Sequence, residues 1–278
     1  MCPPEWYDVD YVINPWMAGN VHRPSRDRAF AEWRGLYDAL KRIADVKLLH
    51  PIEGASDMTF VAHAAAVNFG VAALASFAHT ERQSEEAHLR AWLEEAGFLI
   101  WHTPRETAFE GEGDALFSVD GHHLWAANGA RTCHYCHRHV ADAWHAAVTS
   151  LHLVDPRFYH LDTCFAPLSG DEIVYFPGAF DQESLDAIAS RFAPEQRIEV
   201  SEAEAAHFAC SLINVGRNVI LHETGVGHRA NSLVARLRGR GYQVKELPLG
   251  EFLRGGGGAK SLALRLSDMT ITHGVKRG

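Results

Sequence analysis

Apolar positions along the chain alternate between two periods. Ala29, Phe30, Trp33, Leu36, Tyr37, Leu40 and Ile43 recur at helical spacing, which predicts an amphipathic helix over 26–45. Further helices are predicted over 85–96, 140–150, 182–192 and 228–240. Ser201 followed by Glu204 has the capping-box pattern of a short helix. Between the helical stretches lie short β-type runs at 9–14, 46–49, 98–101, 151–154, 159–165, 173–176, 197–200 and 242–246. Asn14 precedes Pro15, which pushes it toward an extended backbone at a strand end. The stretch 57–67 is apolar except for Asp57 and His63, and is taken as a strand that leads to His63. Residues 109–117 form a turn-rich acidic loop opening a strand. Asp120-Gly121 marks a hairpin turn, and 212–215 with 218–221 flank Gly216-Arg217 as another.

Helix, strand and strand pair recur about five times, with a period of roughly 50–60 residues. No linker, low-complexity segment or shift in composition divides the chain. The expected architecture is therefore one α/β domain over 1–278, built from ββαβ-type units.

Composition narrows the partners. With 47% hydrophobic residues the chain can bury a sizeable core. The formal net charge is -9, and no long basic run or aromatic–basic interleaving occurs. That argues against nucleic acid as a partner and is compatible with a cationic small molecule. The cysteines, Cys2, Cys133, Cys136, Cys164 and Cys210, are odd in number and do not form a secreted disulfide framework. No leader pattern follows Met1, and no apolar run approaches the ~18 residues that span a bilayer. A cytoplasmic protein with no membrane partner is expected, and a homo-oligomer is compatible with the sequence.

Six ionisable residues interrupt apolar runs at strand ends or tight turns: Asp57, His63, Glu110, Asp114, His160 and Asp162. Each needs a partner or ligand if buried, and six together point to a shared site. His160 and Asp162, two apart, would share one face of a strand. An imidazole beside a carboxylate could hold a planar cationic group and move its protons. Arg82 and Arg131 are each either surface arginines or carboxylate clamps. Cys133, His134, Cys136, His137 and His139 are a dense set of soft ligands. With no second C-x2-C or H-x3-H element at a suitable distance, no metal site is expected. Near the C-terminus, Gly255-Gly256-Gly257-Gly258-Ala259-Lys260 leads to Ser261. Glycines let backbone approach a ligand closely, so this loop could present Ser261 to a pocket. The local alternative is a flexible surface turn.

Several blocks together carry a resemblance. They are Met1-Cys2-Pro3-Pro4, Tyr7 to Met17, Glu81-Arg82-Gln83, Phe109-Glu110-Gly111 with Gly113-Asp114-Ala115-Leu116, Arg157 to Phe165, and the glycine loop before Ser261. With them the chain, from residue 1 to about 267, resembles the guanidine-modifying (pentein) superfamily, and most of all its cyanobacterial-type arginine dihydrolase domains. Arginine deiminases, dimethylarginine dimethylaminohydrolases and amidinotransferases belong to the same superfamily. The resemblance implies a five-bladed αβ propeller with its site in a central channel, no cofactor, and a guanidine substrate such as arginine. It implies that His160 is the general acid/base and that Glu110 orients it. Asp57 and Asp162 would grip the guanidinium, Asn14 would contact substrate, and Arg82 and Arg131 would hold the α-carboxylate of arginine. Asp114 joins them as a substrate-side carboxylate.

The implied chemistry is covalent. A thiolate attacks the guanidinium carbon, His protonates the departing amine, and water hydrolyses the adduct. A deiminase stops at citrulline; a dihydrolase continues to ornithine, ammonia and carbon dioxide. Two positions depart from the pattern. Ser261 stands where the family has its nucleophilic Cys, and a serine hydroxyl does not ionise near neutral pH as a tuned thiol does. Ser261 is either a change introduced to trap substrate or the mark of a natural non-hydrolytic relative, and turnover is expected to be switched off in this form. His63 stands where the dihydrolase has Asn, which bears on whether a second hydrolysis follows.

Overall fold

The computed structural model describes residues 1–104, 106–223 and 231–266. One local plan is used four times. A β-hairpin is followed by a helix, and a third strand returns parallel to the second strand of the hairpin. After helix α1 (Arg26–Leu40), the first unit contains β1 (Ala65–Asn68), β2 (Val71–Leu74), α2 (Ser84–Glu95) and β3 (Leu99–Trp101). A one-turn helix α3 (Gly111–Asp114) then opens β4 (Ala115–Phe117), β5 (His123–Asn128), α4 (Cys136–Asp142) and β6 (Ala147–His152). The third unit is β7 (Phe165–Leu168), β8 (Glu172–Tyr175), α5 (Gln182–Arg191) and β9 (Arg197–Glu199). Short helix α6 (Glu202–Ala205) leads to β10 (Ile213–Val215), β11 (Asn218–His222), α7 (Leu233–Gly239) and β12 (Gln243–Leu247), and α8 (Gly250–Leu253) follows. Each three-stranded sheet therefore has one antiparallel and one parallel pair, as in Ala65↔Leu74 and Val71↔Leu99. No helix among the described residues is long and apolar enough to cross a membrane.

The first strands β1, β4 and β7 are largely buried, and the return strands β3, β6 and β9 are more exposed. Each first strand is preceded by a tight turn. Before β1 it is Val61–Ala64, before β4 it is α3, and before β7 it is Leu161–Thr163. These turns carry His63, Asp114 and Asp162, so the interior receives one polar side chain from each of three units. Residues from both ends of the described chain join in a further apolar cluster. There Trp33 and Leu36 of α1 meet Tyr7, Phe60, Phe252 and Leu262.

The helical periodicity locates α1, α2 and α5, while the other two predicted helices and several predicted strands need correction. Residues 9–14 belong to no sheet and bend at Tyr11, Ile13 and Asn14, although Asn14 itself has an extended backbone. Their carbonyls are taken elsewhere, Val9 O by the His22 amide and Ile13 O by Arg131. Residues 46–49 pair with no strand; their backbone bonds to Met1, through Leu49 N to Met1 O and the terminal amine to Lys47 O. Residues 57–64 form two 3-10 turns, not a strand. There the Asp57 and Phe60 carbonyls accept from Arg82 Nη2, which occupies groups a ladder would use. The helix predicted over 140–150 ends at Asp142; His145 has φ 50°, and from Ala147 the chain pairs with β5. His160 caps a 3-10 turn and Asp162 lies within it, so the two do not share a strand face. The apolar run after Ser261 forms no strand. The helix predicted from 228 begins at Leu233; its first three predicted residues lie outside the described residues. Val71–Leu74, rich in alanine, gave no strand signal and is nonetheless β2.

The glycine loop is buried, not a solvated turn. A Cβ on Gly257 would come within 2.3 Å of the Phe60 ring, and one on Gly258 within 2.6 Å of Ser211. Gly256 has φ +87°, a left-handed conformation, and its carbonyl accepts from Tyr159 Oη at 2.7 Å. Gly257→Ala should therefore destabilise the protein by about 1–3 kcal/mol, the usual cost of overpacking. Chemical denaturation checks this, and an unchanged midpoint would contradict the close packing.

Candidate active site

The turn-borne side chains converge with Ser261 in a cluster almost wholly out of water. Glu110, His160, Asp162 and Ser261 are 0% exposed, and Asp57, His63, Arg82, Asp114 and Arg131 are 2% exposed. The sequence-predicted residues are thus brought together, with Asn14 at the edge.

Local geometry explains each placement. Asn14 caps the turn Pro15–Met17 by accepting from Trp16 N and Met17 N, and its Nδ2 donates to Gly255 O at 3.0 Å. It ties the N-terminal segment to the glycine loop. Gly111 has φ +54°, and a Cβ there would lie 2.6 Å from Ala65 N, so only glycine lets α3 pack against the first unit. A Cβ on Gly113 would come within 2.9 Å of His160 Nδ1 and 3.0 Å of the His63 ring. The absent side chain leaves those rings 4.3 Å apart.

His160 lies between two carboxylates. Its Nδ1 is 3.0 Å from Asp114 Oδ2, and its Nε2 is 3.1 Å from Glu110 Oε2, an ion pair without hydrogen-bond alignment. Burial opposes charge on the ring, but Asp114 and then Glu110 outweigh it and raise the His160 pKa to about 9. The ring is an imidazolium at neutral pH. Asp114 is held in turn by Thr132 Oγ1 at 2.7 Å and the Leu161 amide at 3.1 Å. Burial alone would raise Glu110, yet Arg131, donating to Oε2 at 2.9 Å, holds it well below the carboxylate range. Arg131 also donates to Ile13 O and sits over the Tyr159 ring.

Ser261 follows the glycine loop on the turn Lys260–Leu262, and its hydroxyl donates to Asp162 Oδ2 at 2.7 Å. His63 Nε2 approaches the same oxygen at 3.4 Å. Burial would raise Asp162, but His63 and the neighbouring cations lower it. Among the described residues Asp162 Oδ1 and Asp57 Oδ1 have no hydrogen-bond partner. Burial raises the Asp57 carboxyl to about 7. Arg82 gives Glu85 a two-point contact, Nε–Oε1 2.8 Å and Nη2–Oε2 2.7 Å, so its fork faces protein.

Glu85, Thr132, Tyr11 and Ser56 were not singled out from the sequence. Glu85 carried a usable signal, since it stands three residues after Arg82, within reach across a helical turn. Thr132 adjoins Arg131 and joins the Glu110 amide to Asp114. The Tyr11 and Ser56 hydroxyls are buried without partners, which no sequence pattern announced. The Cys133–His139 stretch stands apart. Cys136 Sγ donates to the Cys133 carbonyl at 2.9 Å, and burial pushes its thiol up to about 12. Among the described residues the one group spaced to hold a metal ion is Asp8, Asp10 and His22, where Asp8 is half-buried and Asp10 and His22 are exposed.

Repeated ββαβ units whose leading turns deliver imidazole and carboxylates to a buried centre define an α/β fold of the pentein type. The family model described as N,N dimethylarginine dimethylhydrolase, eukaryotic, matches residues 14–264, and the chain belongs to this family. It is 47% identical to the bifunctional arginine dihydrolase/ornithine cyclodeaminase AgrE of a Nostoc species, over 96% of this chain and 37% of that protein. It is 34% identical to the N(G),N(G)-dimethylarginine dimethylaminohydrolase of Mycobacterium tuberculosis, over 96% of this chain and 84% of that one. The chain thus spans well under half of the bifunctional relative. The crystal structure of the N-terminal domain of ArgZ, a cyanobacterial arginine dihydrolase, superposes with a TM-score of 0.93. That domain is 46% identical, the match covers 96% of this chain and 97% of the domain, and it was solved as a Cys-to-Ser mutant bound to substrate.

The raised His160 pKa makes a signed prediction. Charged His160 contributes stability that is full below its ordinary pKa of 6.5 and is lost as pH rises through about 9. Asp114→Asn should bring the His160 titration down toward the ordinary range in an NMR pH series. A His160 that already titrates near 6.5 in the unaltered protein would contradict the ion pairs.

Proposed function

We propose that this site receives the guanidinium of arginine or a close analogue, as in arginine dihydrolases, and that Ser261 keeps this form from turning it over. The observation that carries the reading is a pair of buried, unpartnered carboxylate oxygens, Asp57 Oδ1 and Asp162 Oδ1. They lie in one network, since Arg82 bonds both the Asp57 carbonyl and His63, and His63 reaches Asp162. Unsatisfied buried acceptors are costly, and a planar cation with several N–H donors answers that cost.

The remaining roles follow from the geometry. A thiolate at 261 would attack the guanidinium carbon, and charged His160 would give its proton to the departing amine. Glu110 and Asp114 stabilise that charge, and water then hydrolyses the adduct. A serine cannot take the first step here. Its hydroxyl is bonded to Asp162, whose pKa is lowered, so the carboxylate that accepts its proton is a weak base. The substrate-bound Cys-to-Ser form of the ArgZ domain supports a retained site without turnover. In this reading residues 1–278 are one catalytic domain, and the segments around α1 and α8 supply the fifth blade of a propeller. The cluster shared by both ends of the described chain supports that blade. The Ser261–Asp162 bond also favours a second reading, a guanidine-binding protein that never turns over.

Incubating the Ser261→Cys variant with arginine, and assaying citrulline, ornithine and ammonia, tests the first reading. Citrulline alone marks one hydrolysis and ornithine marks two. No product from arginine or related guanidines would overturn it. Calorimetry with the unaltered protein should show arginine binding without conversion. A guanidinium needs ionised Asp57, so affinity should rise with pH through about 7. An affinity independent of pH would remove Asp57 from the ligand contacts.

A further inference from the structure

Strands β4 and β7 carry Asp114 and Asp162 on the turns before them. Past those turns, and together with β10, they line a separate cavity of about 380 Å³ that opens toward the hairpin turns at Val119, Ser169 and Gly216. That volume is within the ~300–1,000 Å³ of pockets that bury a small ligand. The wall is mostly apolar, with Leu116, Phe165, Leu212, Ile213, Leu264 and Leu266. Among the described residues five charged side chains also line it: Asp45, Lys47, Glu112, Lys260 and Arg265. Lys47 pairs with Asp45 at 2.9 Å, and Lys260 with Glu112 at 2.7 Å. The Arg265 guanidinium has no partner among the described residues, so the lining holds one positive charge in excess. Lys260 has donor capacity to spare. An ammonium offers three N–H groups, and Glu112 and the Ala263 carbonyl take two.

These two charged residues are also neighbours of the reaction centre. Lys260 precedes Ser261 on one turn, and Glu112 stands between Glu110 and Asp114, the carboxylates on either side of His160. Glu112 Oε2 accepts from the Arg265 amide as well, at 2.9 Å. The Lys260–Glu112 pair therefore ties the two turns together from behind. Its charge reaches further. Burial raises Asp162, and Lys260, with His63 and His160, helps to bring it below its ordinary value. We propose that this cavity is a regulatory site for an apolar carboxylate, with its head on Lys260 and Arg265 and its tail against the wall formed by β4, β7 and β10. The excess positive charge and the spare Lys260 donor call for an anion, and the wall calls for hydrocarbon. A second anion at Lys260 draws the ammonium from Glu112, and the turns that hold Glu110, Asp114 and the residue at 261 adjust with it. Arginine and the carboxylate then change each other's affinity by the same factor.

Calorimetry on the unaltered protein with hexanoate, heptanoate and octanoate tests the site. Affinity should rise about fourfold with each added methylene. Octylamine, of equal chain length and opposite charge, should bind about tenfold more weakly than octanoate, or worse. Arg265 is exposed, so Arg265→Gln should fold and should weaken octanoate by about tenfold. Lys260→Met should weaken it at least as much; if that variant does not fold, Arg265→Gln still decides. Proton–nitrogen correlation spectra of the imidazoles should show the His160 resonances moving as octanoate saturates the protein. No binding of any of the three carboxylates, equal affinity for octylamine, or an affinity unchanged by Arg265→Gln overturns the proposal. So do His160 resonances that stay still at saturating octanoate. An octanoate affinity that falls as protein concentration rises gives the cavity to a second copy of the chain and overturns it too. These readouts need neither arginine nor turnover, so they stand or fall apart from the proposed hydrolase.

Discussion

His160 keeps its charge in a place without water, and the rest of the site is arranged around that fact. A buried imidazolium needs opposite charge within contact distance. Asp114 and Glu110 provide it on the two ring nitrogens, and each is then secured by its own donor, Thr132 for Asp114 and Arg131 for Glu110. Charge is therefore balanced in pairs that cross from one unit to the next. Glu110 and Asp114 come from the turn before β4, and His160 comes from the turn before β7. The same ion contacts that raise the His160 pKa also join neighbouring units across the centre.

The two imidazoles show how environment divides identical chemistry. His160 faces carboxylates and is pushed up; His63 faces Arg82 and His160 and is pushed down. Their rings are close enough that both could not carry charge cheaply, since like charges this near in a dry site repel strongly. Opposite shifts on neighbouring titratable groups are how one centre obtains an acid and a neutral donor at a single pH.

Much of this was legible in the sequence, for reasons that can be named. The helices over 26–40, 84–95 and 182–191 followed from apolar spacing, because burial of one face sets that spacing directly. The polar residues of the site stood out because a charge inside an apolar run is unusual without a purpose. The backbone around them was harder to foresee. Asp57, His63 and Asp162 sit on 3-10 turns whose carbonyls are met by side chains distant in sequence, as Arg82 meets Asp57 and Phe60. A local pattern contains no trace of such partners. The glycine loop illustrates the same limit. Its composition fitted a mobile turn, and only the positions of Phe60, Ser211 and Asn14 show that the glycines are there for lack of space.

The leading turns separate what supports from what reacts. In three of the four units the inner strand keeps its apolar residues for the sheet, and the turn just before it carries a buried ionisable group, as with His63 ahead of β1, Asp114 ahead of β4 and Asp162 ahead of β7. A substitution on one turn can thus alter the chemistry while the ladder behind it stays paired. The fold behaves as a rack of exchangeable tools, in which a change of specificity requires no redesign of the frame. Two of those tools, at 63 and 261, meet on a single oxygen of a third. A change at either position is therefore felt at the other through that shared oxygen.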